Sequence, residues 1–326
     1  MNIDTAAYWG PFEAEAASFD QVEGLIHQAF DKWVMEGHSF AWRGLRDANY
    51  PLHSTLYRHL IKTWRGATPP VEKDLAEAEH SLLVEFHRWG LHMGGYGRLS
   101  VMAQLALLQH YGAPTRLIDV TFNPWIGLWF AVEQKWMDGI PQPDKDVRLI
   151  AIDVTNRLMN EIDRYREWED ATKRPWPKAA GSRDDKDKLY KDWVTQILVW
   201  RPPHFHPRLA AQNGGFLLGG VPATGSVRWP KTTDTADGWW SIDEVRQVTS
   251  VPLRAHKLTV GAGRPPLSAV FTIRIKASAV APIRERLRLL FGYQHSTIYP
   301  DYIGFASSYA ERIFGPEASD ATKATG

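Results

Sequence analysis

An α+β (mixed α/β) fold, one large domain with a central sheet flanked by helices, is what this sequence predicts, and three observations predict it. Strand-like and helix-like stretches alternate along the chain, with several strands late in it and no internal repeat. Val147 to Val154 is a nearly continuous apolar run, as in a strand covered on both faces, while Ala269, Phe271, Ile273 and Ile275 alternate along another strand. Between Gln109 and Pro124 the chain fits a helix end, a turn, a strand, a second turn and a helix start. Gly112 suits a left-handed cap there, Pro114 prevents continuation, Thr115 to Thr121 is β-branched and apolar, and Asn123-Pro124 is a capped helix start.

The elements follow in order. Residues 1–17 read as a leader packed through Tyr8, Trp9 and Phe12. Ser18 and Gln21 form a capping box for a helix whose face is Val22, Leu25, Ile26, Phe30 and Trp33, ending at Gly37. Ser39 to Gly44 is a strand with Arg43 near its end, Asp47 to Leu52 a turn, and Leu56-Tyr57-Arg58 the start of a short helix. Pro69-Pro70 opens a helix to about Trp89 with Leu75, Leu82, Phe86 and Trp89 as its stripe. Ser100 starts the helix that reaches Gly112. After Asn123-Pro124, the spacing of Trp125, Leu128, Trp129, Val132 and Trp136 is helical. Residues 168–190, charged and carrying Pro175, Pro177 and Gly181, read as a mobile insertion. Thr195 to Trp200 is a strand, and residues 222–266 are irregular except for a short helix at Ile242 to Val248. Ser278 is expected to cap a basic helix that stops at Gly292, and Tyr299-Pro300-Asp301 to open a last helix to about Phe314. The domain is thus expected over 18–314, with 315–326 a disordered tail.

Composition narrows the function classes. The formal net charge of +1 gives no global field for nucleic acid or membrane, which leaves only a local patch. With no cysteine there is no disulfide scaffold, thiolate metal site or cysteine nucleophile. No basic-apolar signal segment is visible at Met1-Asn2-Ile3-Asp4, and no run approaches a membrane span, so a cytoplasmic protein is expected. Neither a G-x-S-x-G elbow nor a Walker-type loop is present. His204 and His206, two apart between Pro203 and Pro207, have no carboxylate at metal-ligand spacing, and no metal is expected.

Three clusters could carry chemistry. Trp42-Arg43-Gly44, with Arg46 and Arg58 nearby, offers a guanidinium fork suited to phosphate or carboxylate, or a structural arginine paired with an acid such as Asp119. Asp119, Thr121 and Asn123 stand at the carboxyl end of a strand beside a helix N-terminus, a place for a phosphate-bearing ligand or simply for polar residues that cap their own backbone. Arg208 with Gln212-Asn213-Gly214-Gly215-Phe216 would let a ligand approach the backbone. His110 sits at a helix end as a packed residue or an acid/base group. Arg284, Arg286 and Arg288 make either a local nucleic-acid patch or a solvated helix face.

These residues carry a resemblance. Phe40-Ala41-Trp42-Arg43-Gly44, the stretch Gln109 to Pro124, and Leu128-Trp129-Phe130-Ala131 resemble the FRG domain, a bacterial domain named for a Phe/Tyr-Arg-Gly motif. Arg208 to Phe216 and Ser296 to Asp301 resemble its later signatures, so that the likeness runs from about residue 20 to 312. Trp42 departs from the Phe/Tyr of the motif, and Ile118 and Val120 from the family's frequent Leu and Trp. A more distant resemblance is to the ADP-ribosyltransferase fold, with its split sheet, and it implies NAD as substrate. Arg43 would match the arginine that grips NAD, Thr121 the Ser/Thr of the nicotinamide-ribose site, and Gln212 the third position, where those enzymes have Glu. Gln212 orients a hydroxyl but is no base. The resemblance implies a catalytic set of Arg43, His110, Asp119, Thr121 and Gln212. Around it, Trp42, Arg43, Gly44, Arg58, Arg116, Asn123, Arg208, Gly215 and Phe216 would bind the nucleotide. The activity would be that of an NAD-dependent ADP-ribosyltransferase or NAD glycohydrolase, a bacterial toxin or antiphage effector. It would have a protein or nucleic-acid acceptor and an antitoxin or regulatory partner. A non-enzymatic nucleotide- or protein-sensing module and a nucleic-acid-processing enzyme using His110, Asp119, Arg43 and Arg116 are the alternatives.

Overall fold

Val147–Asp153 is buried at every position, as its apolar run requires, and the sheet extends outward from it on both sides. The structure, a computed structural model, describes residues 4–35, 37–95, 97–176, 192–203, 207–223, 227–258 and 269–312. The main sheet has eight strands: β1 (Ala14–Ala16), β2 (Phe40–Leu45), β3 (Ile118–Thr121), β4 (Val147–Asp153), β5 (Leu198–Trp200), β6 (Gly214–Leu218), β7 (Arg254–Ala255) and β8 (Ala269–Ile275). The order is β1-β8-β4-β2-β3-β6-β5, with β7 and β1 sharing the outer edge of β8 in parallel and every other pairing antiparallel. Among the described residues no helix is long and apolar enough to cross a membrane.

Alternation along the strands sorts two cores. Phe40, Trp42, Leu149, Ala151, Phe271 and Ile273 face one side, beneath the helices Phe19–Ala29, Pro124–Val132 and Ala277–Phe291. Ala41, Leu45, Ile150, Ile152 and Val270 face the other, where they meet Tyr8, Trp9 and Phe12 and the helix Ile242–Val248. A third cluster, rich in tryptophan, joins the helices Glu72–Arg88 and Val101–His110 to β5 and β6. The fifteen tryptophans thus serve mainly as core: Trp9, Trp33, Trp42, Trp176 and Trp200 are among the largest fully buried side chains.

Several expectations are corrected. The packing expected through Tyr8, Trp9 and Phe12 is present, all three being buried, but Ala14–Ala16 in the same segment is an edge strand that was not expected. The strand expected from Thr115 begins at Ile118, because the Thr115 hydroxyl turns back to accept from the Leu117 amide. The Pro124 helix stops at Val132 and Trp136 lies in a small hairpin. On the Glu72–Arg88 helix the buried stripe is Leu75, Glu79, Leu83 and Phe86, while Trp89 is exposed. Lys276, not Ser278, precedes the basic helix, which ends at a left-handed Gly292. Part of the supposed insertion is ordered: Asp163–Asp170 is helical and Trp168 and Trp176 are buried. The rest of that insertion and the tail lie outside the described residues, as do His204 and His206.

Two consequences for stability arise here. Gly44 of β2 touches the backbone of the Pro124–Val132 helix: a Cβ there would come 2.2 Å from the Gly127 carbonyl oxygen and 2.4 Å from the Ala131 nitrogen. Gly127 is equally confined, with Trp42 Cβ 2.9 Å from its own virtual Cβ. The two glycines let strand and helix approach, and Gly44→Ala is expected to cost about 2–4 kcal/mol by denaturant unfolding, as overpacking against backbone does. An unchanged midpoint would refute this packing role.

His53 is buried and its Nε2 lies 2.9 Å from the Arg246 carbonyl. Burial, aided by the Arg58 charge and opposed by that carbonyl, pushes its pKa down to about 4. The unfolded ring takes a proton near its ordinary value, so between roughly pH 6.5 and 4 the unfolded state binds more protons and stability falls as pH drops. The expected loss is about 2–3 kcal/mol between pH 7 and 4.5. It should be smaller by that amount in His53→Gln, whose amide still donates to the carbonyl; equal pH slopes in the two proteins would show that His53 is not the group responsible.

Candidate functional site

β2 and β3 share a single registered pair, Trp42 with Thr121. Beyond it they diverge, and the opening between them is the floor of a cleft of about 880 Å³, a size typical of small-molecule sites. The Arg43 guanidinium spans the divergence: its Nη1 donates to the Asp119 carbonyl at 2.6 Å, an acceptor the open ladder leaves available, and lies 3.7 Å from the Asp119 carboxylate. The Nε of Arg43 is buried with no hydrogen-bond partner among the described residues. Asp119 is the acid of the site; Gln109 donates to it at 2.7 Å, and the Gln109 side-chain oxygen in turn accepts from the Thr115 hydroxyl.

Arg58 enters from the helix Thr55–Thr63, donating to the His53 carbonyl at 2.8 Å and to the Thr55 hydroxyl at 2.9 Å. Its pKa is lowered by burial and by the neighbouring Arg43 charge, against the pull of Asp119. Two guanidinium groups therefore face one space with one carboxylate between them. Arg46, Lys62 and Lys135 add further positive charge to the rim, and His110, at the C-terminal end of its helix, lines the same cleft.

The opposite wall is the segment after the basic helix. Arg208 makes a two-pronged pair with Asp301 at 2.6 and 2.7 Å. Gln212 donates to the Ile298 carbonyl at 3.1 Å. Behind them is a cluster that sequence reasoning missed. Glu133 accepts from Arg46 at 2.7 Å and from Tyr299 at 2.9 Å, and its other oxygen is 3.2 Å from His295 Nδ1. Burial would raise the Glu133 carboxyl, but His295, Arg46 and Tyr299 outweigh it and hold it below the ordinary range. The His295 Nε2 meets the Gly304 carbonyl at 2.9 Å. Both ring nitrogens thus face acceptors, which a doubly protonated ring satisfies. In the sequence Arg46 stands out beside Arg43, and Tyr299 belongs to a helix start and to the signature at residues 296–301, but nothing marks Glu133 or His295.

Of the residues singled out from the sequence, Arg43, Gly44, Arg46, Arg58, His110, Asp119, Arg208, Gln212 and Phe216 line the cleft together. The others do not. Trp42 is core, packed under the Pro124–Val132 helix. Thr121 is fully buried, its hydroxyl donating to the Gln212 carbonyl at 2.6 Å and accepting from the Asn123 amide. Asn123 caps the following helix through the Trp125 and Ile126 amides. Gly215 is small because a Cβ would meet the Phe122 ring at 2.9 Å and the Trp200 carbonyl at 3.1 Å. Gly44, though at the cleft, owes its identity to the helix packed on it. Arg116 is buried elsewhere, 2.6 Å from Glu79 and 3.2 Å from Glu72, with Trp176 and Trp193 beside its guanidinium. The basic helix is no free patch: Arg284, Arg286 and Arg288 pair with Asp144, Asp20 and Glu285.

Comparison with known proteins finds a match to part of the cleft-forming region. The family model of the FRG domain matches residues 38–138. No curated protein and no solved structure matches the chain, so the ADP-ribosyltransferase likeness has no support from these comparisons. The matched interval holds β2, β3, the helix contributing Arg58, the helix ending at His110 and the helix that requires Gly44. The chain therefore carries an FRG domain at residues 38–138, and the Arg-Gly of its β2 strand does two separate jobs, a guanidinium in the cleft and a bare Cα against a helix.

Proposed function

We propose that the cleft binds a phosphate-bearing nucleotide through Arg43 and Arg58, and that the nucleotide is NAD, consumed by cleavage at the nicotinamide ribose. The observation that carries the reading is the pair of guanidinium groups turned on one space with a single carboxylate between them. Arginine forks suit phosphate oxygens, and each charge-assisted hydrogen bond contributes about 1.5–3 kcal/mol. In this reading the two arginines hold the pyrophosphate and half-exposed Tyr50 offers a flat wall to a base. The glycosidic bond breaks with its electron pair going to the nicotinamide nitrogen, and the Asp119 carboxylate stabilises the oxocarbenium-like carbon left behind. Water, or an acceptor hydroxyl, adds to that carbon and gives its proton to His110 or solvent. Gln212 orients a ribose hydroxyl. Acting on NAD in this way, the protein would serve as a toxin or defence effector.

The second reading is binding without turnover, in a sensing module. It is favoured by one specific observation: Thr121, which the enzyme resemblance would put at the ribose, spends its hydroxyl within the protein. Incubating the protein with NAD and following nicotinamide release separates the two. Release from wild type that is lost in Arg43→Ala supports the enzyme; saturable NAD binding without release supports the sensor; absence of both overturns the nucleotide reading.

A further inference from the structure

Away from the cleft, where β7 meets the outer edge of the sheet, a second cavity of about 750 Å³ opens. Arg228, Arg254, His256 and Lys257 line it, and among the described residues no acidic side chain does. The nearby acids are occupied: Asp234 caps the Ala236 amide at 2.9 Å and Asp237 accepts from Thr232 at 2.5 Å. Arg228 and Lys257 are exposed and have no ion-pair partner among the described residues.

A shielded polar atom in the lining adds to this: His256 Nε2 is buried without a hydrogen-bond partner among the described residues, a situation proteins rarely leave uncompensated. The cavity also has a flat apolar wall: Trp239 is 39% exposed, with the Arg228 guanidinium 5.6 Å from its ring centroid.

We propose that this cavity is a second ligand site, independent of the cleft, for a nucleoside phosphate whose phosphates meet Arg228, Arg254 and Lys257 and whose base lies on Trp239. Arg228 and Lys257, exposed and without an ion-pair partner among the described residues, supply affinity for the phosphates, and the tryptophan distinguishes a nucleotide from inorganic phosphate.

Titration calorimetry with ADP and with inorganic pyrophosphate tests this in an Arg43→Ala background, where the cleft is disabled. Both probes are expected to bind saturably there. Arg228→Ala/Lys257→Ala, two exposed changes that should leave the fold intact, is expected to weaken both by tenfold or more. Trp239→Ala should weaken ADP at least fivefold and leave pyrophosphate within twofold. The proposal is overturned if the Arg43→Ala protein binds neither probe, or if the double charge removal leaves both affinities within twofold. Equal losses for the two probes in Trp239→Ala would overturn the nucleoside part. Because every arm is read without the cleft, failure here is separable from failure of the NAD reading.

Discussion

Arg116→Ala is expected to cost about 3–5 kcal/mol and lower the melting temperature by roughly 4–7 °C. Arg116 is 1% exposed and its guanidinium donates to Glu79 and Glu72, which are 0% and 7% exposed. The two acids hold burial in check through the same contacts that raise the Arg116 pKa: burial opposes its charge, and the neighbouring carboxylates more than restore it. Each carboxylate has other donors, Trp176 and Arg174 for Glu79, Trp193 and the Val221 amide for Glu72. Arg174 remains as a cation beside Glu79, 3.2 Å away, but among the described residues Glu72 keeps only the neutral Trp193 and Val221 donors, so the substitution leaves one buried negative charge without a cation and a cavity beside two tryptophans. Chemical denaturation measures the cost. Adding Glu72→Gln to Arg116→Met should recover part of it, because the remaining carboxylate, Glu79, still has Arg174 beside it. A loss under 1 kcal/mol for Arg116→Ala would mean the network relaxes or admits water.

The second large effect concerns ligand chemistry. Arg43→Ala is expected to weaken NAD binding by about 30- to 100-fold, the worth of one or two charge-assisted hydrogen bonds. Asp119→Asn should behave differently: with the repelling carboxylate gone, NAD binding is kept or improved, while nicotinamide release falls by at least 100-fold. This split distinguishes chemistry from binding. The Arg43 substitution also leaves the Asp119 carbonyl without its donor, so the melting temperature must be recorded; Arg58→Ala, whose side-chain contacts lie within its own short segment, gives a cleaner affinity test. Unchanged NAD affinity in both arginine variants would remove the nucleotide from the cleft.

Much of the fold was legible. The Asn123 cap, the buried strand at Val147, the strand at Ala269–Ile275 and the left-handed Gly292 are consequences of local backbone preference and periodicity, and the structure shows each. Elements failed where a distant contact outweighed the local pattern. The Ala14–Ala16 edge strand was not expected, because three residues carry no periodicity of their own and their partner strand, β8, lies far along the chain. Glu79 interrupts an apolar stripe, and its reason is Arg116, 37 residues away.

For the site, the sequence by itself determined which chemistry was at hand: arginines beside a strand-end glycine, a carboxylate and a histidine around a tight helix–strand–helix junction. Only the tertiary structure decided which of these share a space. Arg43 and Arg116 are equally conspicuous in the sequence, but divergence of β2 from β3 places one at the mouth of a cleft, while the other is sealed among Glu72, Glu79 and tryptophans. Thr121, next to a helix start, was as plausible a ligand group as Asp119; the two share one face of β3, but Thr121 is fully buried and the Gln212 carbonyl accepts its hydrogen bond. Glu133 gained a role from Arg46, His295 and Tyr299, partners up to 166 residues away. Side-chain chemistry is encoded locally, but burial and charge pairing depend on which segments the packed sheet brings together, and that is where a polar residue becomes either structure or site.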